Sequence, residues 1–340
     1  MNGVGVCVVG CGHWGKNLVR NFYALGHLEA ICEADPARRE TITTQYPGVK
    51  SYSDFEDVCR NPGIQAIALA TPAPQHHRMG LMALEAGKDV FVEKPLALEW
   101  QHGQELSERA RQKGRILMVG HLLRYHPGVV KALELVQSGA IGKLEYIYSN
   151  RLSMGKVRRE ENALWSFAPH DISILLALTA QMPLRVWALG GDYLQPNIAD
   201  VTVSHLLFDQ GVRAHIFVSW LHPYREQRLV IIGSTGMLVF EDSKPDRKLL
   251  LFDKTVEFKN GGVETRTPQA VPVEFDSTEP LRAECSHFVE CVLGRHVPRT
   301  PGEEGVAVLR VLQACQRSLQ LDGQVVQLED HAALTSVASL

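Results

Sequence analysis

The sequence predicts an α/β chain: an N-terminal Rossmann domain with a doubly wound parallel sheet, then a C-terminal α+β domain on a large, mainly antiparallel sheet. Three observations carry this expectation. Short apolar runs alternate with helical stretches up to about residue 122, a glycine-rich hexamer follows the first run, and later runs alternate polar with apolar residues between short turns. Strands that read as nearly continuous Val, Ile, Leu and Ala are covered on both faces, which implies a parallel sheet between helices. The 340 residues exceed what one hydrophobic core usually serves. We therefore divide the chain into two domains, 1–122 and 123–340.

The first-domain strands are VGVCVV (4–9), LEAIC (28–32), AIALA (66–70), DVFV (89–92) and RILMVG (115–120). Between them, Asp35 can cap a helix whose first residue is Pro36, where the missing N–H costs nothing. Gly87 sits where a helix ends before the next strand. Beyond residue 122 a helix enters through Pro127 and closes near Gly139, followed by the amphipathic strand LEYIYSNRL. The runs at 201–209, 212–221, 228–234 and 237–242 are separated by turn-like DQG and STG, as in neighbouring antiparallel strands. HDISILLALTA (170–180) reads as a helix, and ECSHFVECVL and GVAVLRVLQACQRSL as late helices returning to the core.

A hydrophobic fraction of 45%, a charged fraction of 21% and a net charge of −3 describe an ordinary globular chain with no global field for nucleic acid or anionic membrane. The start, MNGVGVCVVGCGHWG, lacks the basic region of a signal peptide. No apolar run approaches the roughly 20 residues that cross a bilayer. Seven scattered cysteines without a CxxC pair suit reduced thiols, with no metal site. These features predict a cytoplasmic chain of enzyme size.

Gly10-Cys11-Gly12-His13-Trp14-Gly15 has the GxGxxG form between a buried strand and the helical KNLVRNFYAL. Such glycines allow a tight turn and close approach of a pyrophosphate to a helix N-terminus. Glu33, ending the second strand, can accept from both adenosine ribose hydroxyls and would repel a 2′-phosphate, which favours NAD. Arg38 and Arg39 nearby keep NADP as the alternative. In DVFVEKPLAL, residues 89 to 98, a buried strand stops at Glu93, Lys94 and Pro95.

GCGHWG, ATPAPQHH (70–77), LEAGKDVFVEKPLAL, VGHLLRYHP (119–127) and IGKL (141–144) together resemble the Gfo/Idh/MocA oxidoreductases. The resemblance implies that the nicotinamide lies at the carboxyl edge of the first sheet. The implied cofactor residues are Gly10, Gly12, His13, Trp14, Gly15, Glu33, Thr71, Pro72, His76, Glu93, Lys94 and His121. Lys94 matches the family's catalytic lysine; beside a cationic ring and partly buried, its ammonium form would be disfavoured. Family members commonly carry an aspartate and, one helical turn later, a histidine where this chain has Ser166 and His170. Histidine has an unperturbed pKa of about 6.5 and needs little tuning to accept an alcohol proton. His170 is therefore read as the general base and Lys94 as its electrostatic partner, with a helix cap as the plain reading of His170.

The expected substrate residues are Arg124, Tyr125, Asn150, Arg151, Arg158, Trp165, Ser166, His170 and Asp171. The loop SMGKVRREEN adds Lys156 and Arg159. Arginine forks there suit a diphosphate, while an exposed loop balanced by Glu160 and Glu161 is the equal alternative. The block from Asn150 to His170, YLQ (193–195), the HIFVSWLHP run and IGSTGMLVFED resemble members that oxidise UDP-N-acetylhexosamines at C3. That resemblance implies a UDP-N-acetylglucosamine substrate and a 3-keto product destined for an aminotransferase in lipopolysaccharide or lipid A precursor synthesis. The corresponding uronic acid is the rival substrate, followed by inositol or free sugars. A catalytically silent dinucleotide sensor is the rival class. Apolar alternation in the second sheet also suggests a homo-oligomer.

Overall fold

The computed structural model describes residues 3–155, 157–254, 256–259 and 261–328. Along the first part of the chain run β1 (Val6–Val9), α1 (Gly15–Ala24), β2 (Leu28–Cys32), α2 (Pro36–Gln45), β3 (Lys50–Tyr52), α3 (Phe55–Arg60), β4 (Ala66–Leu69), α4 (His76–Glu85), β5 (Asp89–Glu93), α5 (Trp100–Gln112) and β6 (Leu117–Gly120). The six strands form a wholly parallel sheet in the order β3-β2-β1-β4-β5-β6. Every residue of β1, β4, β5 and β6 is buried, as continuous apolar runs require when helices cover both faces. Asp35 caps α2 through the N–H groups of Ala37 and Arg38, with Pro36 in the first helical position. The order reverses at β1, so the turn after β1 opens onto the crevice where such sheets bind ligands.

The second part contains α6 (Pro127–Gln137), β7 (Leu144–Met154), α7 (Ala163–Thr179), β8 (Arg185–Gly191), β9 (Val201–Leu207), β10 (Arg213–Ser219), β11 (Leu221–Gly233), β12 (Gly236–Glu241), β13 (Leu249–Asp253), β14 (Val256–Lys259), β15 (Gly262–Thr265) and β16 (Ala270–Pro272). They are followed by α8 (Pro280–Gly294), α9 (Gly302–Gln320) and β17 (Val326–Gln327). Among the described residues nine strands make one sheet, β16-β13-β12-β11-β7-β10-β9-β8-β17, in which only the β7–β10 pair is parallel. Across this sheet Tyr148, His215, His205 and Trp187 stand side by side on neighbouring strands, with Tyr148 stacked on His215 at 5.2 Å and Trp187 on His205 at 5.1 Å. None of the described helices is long and apolar enough to cross a membrane.

Two expectations need correction. The chain does not divide into two consecutive blocks at residue 122: the first compact unit is Met1–Tyr125 with Thr278–Leu309, and the second is His126–Ser277 with the residues from Arg310. The physical reason is α8, whose Leu281, Cys285, Phe288, Val289 and Val292 join Val8, Leu18, Phe22 and Phe91 in one apolar core. The helix predicted over 170–180 also begins earlier. Asn162 caps α7 by accepting the Trp165 N–H at 3.1 Å, so His170 lies in mid-helix and is not its N-terminal cap.

Candidate active site

The candidate residues of the first unit sit at the carboxyl ends of five strands, β1, β2, β4, β5 and β6. After β1, Gly10 adopts φ +83°, and a Cβ on it would lie 2.9 Å from the Ala70 carbonyl oxygen. A Cβ on Gly15 would come within 1.9 Å of the Gly10 oxygen, so α1 can start here only with glycine. A Cβ on Gly12 would meet nothing within 4 Å: the turn faces open space. His13 and Trp14 are exposed on the same turn. Glu33 closes it, accepting from the Cys11 N–H at 2.9 Å, the Asp35 N–H at 3.0 Å and Arg38 at 3.0 Å. Burial pushes the Glu33 carboxyl up, but these three donors outweigh it and hold the group below its ordinary range. Arg39 is directed elsewhere, to the backbone oxygens of Glu33 and Ala34.

Beyond β4, the Thr71 hydroxyl is buried with no hydrogen-bond partner among the described residues, and Pro72 is exposed. His76 is 1% exposed and places Nδ1 2.8 Å from the Pro95 oxygen and Nε2 2.8 Å from the Thr71 oxygen. Burial pushes its pKa down, helped by Lys94, against the pull of the two carbonyls. The ring thus ties the Thr71 turn to the Lys94–Pro95 turn, whose peptide is cis, and acts as a strut between them. At the end of β5, Glu93 is buried and accepts from the Trp14 indole N–H at 2.5 Å, which links the glycine turn to the strand end carrying Lys94. Lys94 itself is partly exposed. After β6, His121 is buried with Nδ1 2.6 Å from Glu304, a carboxylate that the sequence reading missed. Its only sequence signal was an acidic first turn in α9.

These residues fit a dinucleotide. Gly12 leaves an open face that would admit a pyrophosphate, Glu33 presents a carboxylate at the end of β2 that would hold a ribose, and the Thr71 hydroxyl is an orphaned polar atom among the described residues of the same edge. Arg124 and Tyr125, expected at the substrate, are instead committed inside the first unit. Arg124 is 3.8 Å from Glu304, and the Tyr125 hydroxyl bonds Thr300 at 2.8 Å. Both are buried.

In the second unit the substrate candidates gather around α7. Arg151 on β7 donates Nε to Asp171 at 3.0 Å and a terminal NH2 at 2.8 Å, and Ser149 adds a third bond to the same carboxylate at 2.7 Å. Burial lowers the Arg151 pKa, and Asp171 more than reverses this, so the guanidinium is held charged. Arg151 and Asp171, both assigned to substrate from sequence, therefore satisfy each other and fix the helix turn beside His170. Asn150 donates to Glu226 at 2.8 Å, and the Trp165 indole donates to Gln316 at 3.1 Å. Ser166 is buried, His170 partly exposed, and Arg158 and Arg159 are exposed. Lys156 lies outside the described residues.

Residues 4–121 match the oxidoreductase family model GFO_IDH_MocA, with an NAD-binding Rossmann fold, and residues 129–239 match the GFO/IDH/MocA C-terminal domain. The chain belongs to this family of oxidoreductases. Its sequence is 26% identical to scyllo-inositol 2-dehydrogenase (NAD(+)) of Bacillus subtilis (strain 168) over 349 residues, covering 97% of this chain and 98% of that protein. The fold is similar to UDP-N-acetylglucosamine 3-dehydrogenase GnnA from Acidithiobacillus ferrooxidans, with a TM-score of 0.82, 19% identity, and coverage of 94% of this chain and 99% of that one. It is also similar to scyllo-inositol dehydrogenase from Lactobacillus casei with bound NAD(H) and scyllo-inositol, with a TM-score of 0.79, 20% identity, and coverage of 96% and 99%. NAD is the cofactor.

Replacing Glu33 with alanine is expected to weaken NAD about 10-fold or more and to narrow the gap to NADP, because a hydrogen-bonding site leaves its polar partners unsatisfied when truncated. Parallel titrations of both dinucleotides check this. An unchanged NAD to NADP ratio would sink the assignment.

Proposed function

We propose that the chain oxidises the C3 hydroxyl of UDP-N-acetylglucosamine with NAD, giving the 3-keto sugar nucleotide, a product suited to 3-amination by an aminotransferase. NAD, when bound, supplies the hydride acceptor. His170 takes the hydroxyl proton, and Lys94 holds the hydroxyl oxygen and offsets the charge that develops on it. Release of one hydride and one proton leaves the ketone.

One arrangement in the second unit supports a sugar nucleotide. Two of the segments singled out by resemblance, the block from Asn150 to His170 and YLQ (193–195), come together before α7. Gln195 donates to the Arg158 backbone oxygen at 2.8 Å, the Ala163 N–H bonds the Ala199 oxygen at 2.9 Å, and Asp200 accepts from the Tyr193 and Leu194 N–H groups at 2.7 and 2.8 Å. Exposed Arg158 and Arg159 thus share a braced wall with exposed Tyr193 and Leu194. Guanidinium groups suit a diphosphate and an aromatic ring suits a base. The second reading, a cyclitol dehydrogenase, is favoured by the Bacillus relative's near-complete coverage.

A panel of UDP-N-acetylglucosamine, its uronic acid, scyllo-inositol and myo-inositol, read as NADH formation with an aminotransferase present to draw off product, decides between them. The expected result is turnover of UDP-N-acetylglucosamine many-fold above the rest. Preference for an inositol establishes the second reading, and preference for the uronic acid moves the specificity to C6. NAD binding without turnover of any of them leaves a dinucleotide sensor.

A further inference from the structure

Glu284, on α8 in the first unit, is wholly buried, and among the described residues neither of its carboxyl oxygens has a hydrogen-bond partner. An ionised carboxylate without partners is far more costly to bury than the neutral acid, so the group belongs in its protonated form. Its position follows from aromatic packing. Phe91 on β5 meets Phe288 on α8 edge-on, with centroids 5.8 Å apart. Glu93 lies two residues beyond Phe91, on the same face of the strand. Glu284 lies four residues before Phe288, one turn away on the same face of the helix. The packed pair therefore brings both carboxyls to one side of β5. On β6, a Cβ on Gly120 would lie 3.0 Å from Glu93 Oε2, so a glycine there leaves room for this carboxylate.

We propose that Glu284 holds a proton behind Glu93, so that the two carboxyls share a single negative charge on Glu93, and that this charge makes the preference for oxidised over reduced nicotinamide depend on pH. Glu284 is a positioning residue in this arrangement, because it acts through Glu93. The groups facing the pair are Lys94 on β5, the Trp14 indole from the glycine turn, Tyr125 from the turn after β6 and Cys285 on α8. Burial, chiefly, pushes Tyr125 and Cys285 up, so both stay neutral. Burial raises Glu93 to about 7 against the pull of Trp14 and Lys94, and raises Glu284 well above the carboxyl range, with the Glu93 charge adding to it. Two carboxyls so placed titrate as a pair, and the second proton is retained.

The functional consequence rests on NAD binding at the carboxyl edge of the sheet, where β5 ends in Glu93. Oxidised and reduced cofactor differ by one positive charge on the ring. Ionised Glu93 favours the oxidised form, so acidification through neutrality shifts preference towards NADH. Dissociation constants for NAD and NADH at about pH 6 and about pH 8 test this; the ratio Kd(NADH)/Kd(NAD) is expected to rise about three- to tenfold between them in the natural chain. Glu93→Gln should abolish the change, and Glu284→Gln, a neutral isostere of the protonated acid, should preserve it. A change that survives in Glu93→Gln, or a flat ratio in the natural chain, overturns the proposal.

Thermal unfolding without cofactor provides an independent readout. A carboxyl whose folded pKa is raised stabilises the fold below its unfolded pKa, and that contribution is lost as pH rises towards the folded value. Glutamine has no such dependence, so Tm of Glu284→Gln minus that of the natural chain should become more positive with rising pH. A difference that turns more negative would mean an ionised, partnered Glu284 and would end the proposal. Failure of the natural chain to bind either dinucleotide would overturn the cofactor reading, while the unfolding comparison still decides the proton on Glu284.

Discussion

His170→Asn is expected to lower kcat by about 10²- to 10⁴-fold, the usual worth of a positioned acid or base, with NAD affinity unchanged. The residue lies in the interior of α7, a helix already capped by Asn162, so its imidazole is not needed to start the helix. Its side chain is partly exposed while Ser166, one turn earlier, is buried. Asparagine keeps a polar side chain but cannot accept a proton near neutrality. The measurements are turnover on the substrate that the panel selects, NAD binding and Tm. Equal losses in binding and turnover, or a large fall in Tm, would make His170 a structural residue and leave Lys94 as the proton acceptor.

The parallel sheet was legible because four of its strands are buried on both faces and are therefore apolar apart from Asp89 and Glu93 at the two ends of β5. The third strand, Lys50–Tyr52, escaped because an edge strand with exposed Lys50 and Ser51 has no apolar run to detect. The return of α8 to the first core was hidden for a different reason. Periodicity identifies a buried face but not the core that receives it, and Phe288 meets Phe22 and Phe91 across more than 190 positions of sequence. At the candidate site, GCGHWG and Glu33 stand out by local spacing, because turn geometry is local, whereas Lys94 at the end of β5 stands out only through the family resemblance. Long-range partners were not: Glu304 beneath His121, Gln316 on Trp165 and Asp200 under Tyr193 carry no local mark of their role. Arg151 and Asp171 show the converse: charge near a candidate base reads as a substrate contact, and local sequence does not reveal that the two are buried and bonded to each other.

Arg151→Met is accordingly expected to destabilise the second unit by about 3–5 kcal/mol, the cost of removing one partner from a buried ion pair. Asp171 is 1% exposed and would retain only the Ser149 hydroxyl, so its charge would lose two of three donors. Denaturant unfolding measures this, and a loss below about 1 kcal/mol would mean that the pair behaves as a surface bridge. The double variant Arg151→Met with Asp171→Asn removes both charges and should recover part of the loss, because sites in direct contact are not additive. Catalysis should follow the same order. Asp171 is the neighbour of His170 on α7, and the bridge to β7 sets the rotation of that turn. A displacement of about 1 Å at a catalytic group can cost about 10²-fold in rate. The single variant should therefore lose kcat with little change in NAD affinity, and the double variant should regain kcat in step with stability. Stability recovered without kcat would show that Arg151 meets the substrate directly, as its sequence position had suggested.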